Sequence, residues 1–195
     1  MFRIALILIL TTLSTAAPAH VGVGDTHGFM HGFGHPLGGL DHILAMVAVG
    51  LFAAHLDGRA LWLVPLTFVS VMAIAGGFGM VGVGLPYVEI GIGLSVVILG
   101  LAIAFQFSPP TLVAMGLVGF FPIFHGHAHG AELTEDASRI AYAVGFMIAT
   151  PALHAVGIGL GMLIGYAEQK FSIRIVQVGG GAMALAGVAI LAGIL

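Results

Sequence analysis

Two short runs carry the side chains able to hold a metal ion. The first, H-P-L-G-G-L-D-H, sets His35, Asp41 and His42 close together; the second, F-H-G-H-A-H-G-A-E, alternates His125, His127 and His129 with small residues and closes on Glu132. A metal site in this chain must be built from His, Asp, Glu, Met or backbone oxygen. Cysteine is absent, which rules out disulfides, thiolate zinc sites and iron–sulfur clusters. His35 and His42 lie seven residues apart, so on one straight helix they share a face but stand about 10 Å apart along the axis. They mark either successive stations on a path or ligands completed by another helix. An ionised Asp41 at depth costs about 3 kcal/mol on insertion scales, so it should face the bundle interior and meet a cation, a His or an Arg.

Three further positions belong with these runs. His154, in T-P-A-L-H, falls roughly 24 Å along its helix if that helix starts near Ser138. A residue at that depth is a candidate relay, the alternative being a neutral His hydrogen-bonded to a neighbour. Glu89, just after Pro86, could supply a carboxylate at the level of the histidine runs, or could simply meet water at the interface. His127 could join its neighbours or belong to a solvated His-rich loop. His27 and His31 read as loop residues, and His55 as an interfacial His.

The elements that must position these groups are membrane helices. Hydrophobic residues make up 59% of the chain, charged residues 7%, and mean hydropathy is +1.16, against roughly 25% charged residues in a soluble domain. At about 20 apolar residues per crossing, the 195 residues hold six spans and no sizeable soluble domain. The spans fall near Pro36 to His55, Ala60 to Met80, Pro86 to Phe107, Pro110 to Phe124, Ser138 to Tyr166 and Ile173 to Leu195. Ahead of them, Arg3, an apolar stretch from Ile4 to Leu13 and Ala17-Pro18-Ala19 form a cleavable signal peptide over residues 1–19, leaving a transmembrane domain over 20–195 with His20 at its start. The segment Val21 to Gly34, rich in Gly and His, suits an irregular outer stretch.

Cleavage puts the mature N-terminus in the periplasm. Arg59, Lys170 and Arg174 then fall in cytoplasmic connections and Arg139 outside, in agreement with the positive-inside rule. The connection His125 to Ala137, with Glu132, Glu135 and Asp136, faces outward and would concentrate cations. Gly157, Gly161 and Gly165 form a small-xxx-small stripe for close helix packing. A net charge of −3 with five Lys plus Arg excludes nucleic acid as a partner. No G-x-x-x-x-G-K-[ST] loop is present, so the chain does not itself hydrolyse ATP.

H-P-L-G-G-L-D-H-I-L-A-M-V-A-V-G (His35 to Gly50), taken with F-H-G-H-A-H-G-A-E (Phe124 to Glu132), closely resembles the HupE/UreJ family of nickel permeases, and the likeness extends along the whole chain. It implies an all-α integral membrane protein, not an enzyme. The activity implied is secondary uptake or facilitated diffusion of Ni²⁺ across the bacterial inner membrane, supplying hydrogenase or urease maturation. The metal ion would be cargo rather than prosthetic group, with Co²⁺, Zn²⁺ and Cu²⁺ as alternatives. The lipid bilayer is the surrounding partner, and a homo-oligomer is compatible with the sequence. The family's H-x5-D-H motif falls on His35, Asp41 and His42; its F-H-G-x-x-H-G-x-E motif falls on Phe124, His125, Gly126, His129, Gly130 and Glu132. His127 occupies a variable position. Two other readings differ in class: a membrane metalloenzyme of di-iron type, which needs ligands around one cavity with open positions, and a periplasm-facing metal sensor or donor. Because imidazole must be neutral to bind metal, uptake should fall as pH drops through about 6.5.

Overall fold

A computed structural model describes residues 28–133, 138–166 and 169–195. The signal-peptide expectation for residues 1–19, together with His20, His27, Glu135 and Asp136, lies outside them. Every regular element among the described residues is an α-helix, as an apolar chain requires where no water is available to satisfy backbone groups. The elements are α1 (Phe29–Gly38), α2 (Leu40–Leu56), α3 (Ala60–Met80), α4 (Val88–Ala104), α5 (Thr111–Phe120), α6 (Pro122–Glu132), α7 (Arg139–Gly165) and α8 (Gln169–Leu191). Four stretches are long and apolar enough to cross a membrane: α3, the α5–α6 run Thr111–Glu132, α7 and α8. The bent pair α1–α2 makes a fifth if it is one span, and α4 is a shorter apolar helix of 17 residues.

Two expectations are corrected here. Residues 29–34 are helical rather than irregular. Backbone contact with α7 seats α1: Gly32 lies against the backbone of Tyr142, and Gly145 against the carbonyl of Phe29. The run after Phe124 is likewise helix through Glu132 and not a loop. Its glycines do not loosen it. Gly126 seats on the carbonyl of Met72 and Gly130 on that of Gly76, so α6 crosses α3 with backbones in contact, as small residues permit in lipid.

The same device joins α2 to α7, where Gly50 meets the carbonyl of His154 and Gly157 that of Val47. Gly161 lies against Ala54, while Gly165 has nothing within 4 Å. Gly100 and Gly180 bring α4 and α8 together in a third close pair.

Between α1 and α2 the chain turns by 84°. Pro36, inside α1, lacks the N–H for one helical hydrogen bond near its end, and Gly39, extended at φ −105° and ψ 126°, ends the helix. The two ends of the bundle are marked by side-chain contacts. At one, His55 Nε2 lies 2.8 Å from Ser108 Oγ in the α4–α5 connection. At the other, His127 reaches the carbonyl of Val83 in the α3–α4 turn. Helix α4 therefore runs between the two ends despite its length.

Candidate metal centre

His42 lies at the centre of the polar interior. As the third residue of α2 it is buried, and Asp41 Oδ1 lies 3.0 Å from its Nδ1. That contact exists because residue 39 is glycine: a Cβ there would stand 2.6 Å from Asp41 Oδ1 and 3.2 Å from His42 Nδ1. With Nδ1–H donated to the carboxylate, His42 Nε2 carries a lone pair, and the ring is held in the orientation that carboxylate–histidine–metal triads use.

Two histidines of α6 converge on that nitrogen. His125 and His129, one turn apart, share a helix face. His129 Nε2 lies 2.6 Å and His125 Nδ1 3.4 Å from His42 Nε2. The state of His125 follows from Ser95 on α4. The Ser95 hydroxyl donates to the carbonyl of Ile92 at 2.6 Å, so at 3.0 Å it accepts from His125 Nε2–H. His125 Nδ1 is then unprotonated and faces the cluster. Nitrogens ligating one ion at about 2.1 Å each sit roughly 3–3.4 Å apart, so these rings need only small rotations to share a cation.

A second group adjoins the first toward solvent. His35, His129 and Glu132 each offer a ligand atom, all within 4.8 Å of one another. Glu132 Oε2 is 3.6 Å from His129 Nδ1, and its side chain is 43% exposed. His35 reaches the cluster because of the turn between α1 and α2: its ring lies 6.4 Å from that of His42 and 4.8 Å from that of His129. The 10 Å separation expected on a straight helix does not apply to a broken one. A cavity of about 190 Å³ borders His129, walled by Met72, Gly76, Met80, Tyr142 and Phe146.

The remaining candidates sit apart. His127 points away from His125 and His129, as a helical step of two residues dictates, and donates to the Val83 carbonyl. Glu89 is exposed in the first turn of α4 and is not a member of the His35–His129–Glu132 group. His154 is 1% exposed, and neither ring nitrogen has a hydrogen-bond partner. Its ring meets the edge of Phe68 at 5.2 Å, and Phe68 lies 5.8 Å from His125. Phe68 thus stands between the cluster and His154. Sequence reasoning passed over Ser95, Phe68 and Tyr142. Ser95 left one signal, the lone hydroxyl of α4, whose other polar side chain is Glu89 in the first turn; Phe68 left none, being one of 13 phenylalanines.

Apolar helices long enough to cross a bilayer, enclosing buried imidazoles with carboxylates beside them, define a polytopic membrane protein with a metal-competent interior. The chain belongs to the HupE/UreJ family: residues 8–190 match the family model described as HupE / UreJ protein. It is 47% identical over 192 residues to "Protein HupE" of Rhizobium leguminosarum bv. viciae, with 98% of each chain covered. No solved structure matches it.

Proposed function

We propose that the protein is a secondary nickel permease of the bacterial inner membrane that admits Ni²⁺ without ATP and supplies hydrogenase or urease maturation. The observation that carries this reading is the convergence of His129 Nε2 and His125 Nδ1 on His42 Nε2, at 2.6 and 3.4 Å, inside an apolar bundle. The family likeness supports nickel as the cargo. Six crossings follow if α4 spans, which its course between the His127–Val83 and His55–Ser108 ends supports. The site then opens to the periplasm.

The residues divide the work by exposure. Glu132, exposed, and His35, half-exposed, begin replacing the waters of the incoming ion together with His129. Without cargo, the 2.6 Å contact between His129 and His42 requires a proton on one nitrogen. Asp41 holds the His42 proton on Nδ1, so His129 Nε2–H is the donor. An arriving cation takes the place of that proton, and His129 can carry it instead on Nδ1, beside Glu132. The ion then passes to His42 and His125, which Asp41 and Ser95 keep in metal-binding tautomers. Exchange among ligand sets that share members keeps binding strong enough to admit the ion and weak enough to release it. Onward movement leads past Phe68 to His154, a deeper relay with both ring nitrogens unengaged.

Radioactive nickel uptake into proteoliposomes of the purified chain tests this, with His42→Ala and His154→Ala in parallel and cobalt, zinc and copper as competitors. Nickel-preferring flux lost in both variants is the expected result. Metal binding without flux above empty vesicles would overturn transport in favour of a sensor or donor. Tightly held iron with a substrate-dependent reaction would make it an enzyme.

A further inference from the structure

His31 lies outside both sequence motifs. It sits on α1 four residues before His35, so the two imidazoles project from one face, about 6 Å apart along the axis. Their ring centroids are 6.5 Å apart. Both rings contact Tyr142, at 5.9 Å for His31 and 5.7 Å for His35. Tyr142 is 2% exposed and braces the pair from the α7 side. His31 is half-exposed, whereas His35 also faces His129 at 4.8 Å.

We propose that His31 and His35 form a capture station for a hydrated divalent cation, upstream of the His42–His125–His129 cluster, which loads the His35–His129–Glu132 group by handing the ion across His35. Two histidines at i and i+4 on one helix face are a spacing with which helices chelate divalent metal. Two protein ligands leave the other coordination positions to water. The ion is therefore held weakly and sheds its hydration in stages. Because His35 belongs to both sets, transfer needs rotation of one imidazole rather than release into solvent. This inference rests on the transport reading.

The absence of cysteine makes a ligand-swap test clean. Uptake of radioactive nickel is measured in proteoliposomes for the wild-type chain, His31→Gln and His31→Cys. The glutamine variant keeps bulk and polarity but loses the imidazole ligand, and the cysteine variant restores a metal ligand. For His31→Gln the expected result is a half-saturating nickel concentration raised on the order of tenfold at unchanged maximal flux, the pattern of lost ground-state binding. His31→Cys should recover most of that loss. An unchanged half-saturating concentration in His31→Gln, a loss confined to maximal flux, or equal impairment in the two variants would overturn the station and leave His31 a packing residue. If the wild-type chain shows no flux, the transport reading fails, and equilibrium dialysis with Ni²⁺ decides the station separately. A weaker bound equivalent missing in His31→Gln and present in His31→Cys sustains it; identical binding in all three chains overturns it.

Discussion

At the scale of single residues, the site works through the protons its neighbours fix. Asp41 holds a proton on His42 Nδ1 and Ser95 accepts one from His125 Nε2, so each ring presents its other nitrogen inward. Asp41→Asn should keep the fold and weaken nickel binding by about 10–100-fold, read by equilibrium dialysis of the purified protein. Ser95→Ala should weaken binding less, because His125 can then change tautomer without losing a charged partner. Acidification acts on every imidazole in one direction: protonation competes with the metal. Uptake should therefore decline on acidification and recover when pH is restored, which distinguishes competition from unfolding. The residue types were readable in the sequence because charged residues make up only 7% of it and five of its ten histidines fall in two short runs. Which nitrogen each ring presents was not, since that depends on Ser95 and on the missing Cβ at Gly39.

At the scale of elements, glycine decides where the ligands meet. Gly126 and Gly130 let α6 approach α3, so Gly126→Val should overpack the crossing and destabilise the fold by about 1–3 kcal/mol or more, seen as a lower melting temperature in detergent. Gly39→Ala differs. Residue 39 is extended, a conformation open to any residue, so the added methyl meets the Asp41–His42 pair and not a strained backbone. Nickel affinity should drop as in Asp41→Asn while the melting temperature stays nearly constant. Helices α2, α3, α4, α7 and α8 follow from apolar length alone. Helices α1 and α6, which add His35, His125 and His129 to the Asp41–His42 pair of α2, fall where the sequence predicts an irregular stretch and a loop. What seats them is close backbone contact, through Gly32 and Gly145 for α1 and through Gly126 and Gly130 for α6, which apolar length does not register. His127 shows the use of knowing the element: once the run is helical, two residues of spacing turn it away from His125 and His129.

At the scale of the whole molecule, the contacts that mark the two ends of the bundle carry a topological prediction. With α4 crossing, six spans return the C-terminus to the side of the mature N-terminus. A C-terminal alkaline phosphatase fusion should then be active in the periplasm and a cytoplasm-dependent fluorescent fusion dark; the reverse pattern would mean an odd number of crossings. The described histidines gather toward one end of the bundle, with His154 deeper and His55 at the other end, so the polar interior is asymmetric across the membrane. That interior also holds a charge. Asp41 lies beside His42, an imidazole that is neutral when it binds metal, and an uncompensated carboxylate in an apolar bundle is costly. A cation entering the cluster offsets that cost, so positive charge is favoured there before ligand geometry distinguishes one cation from another.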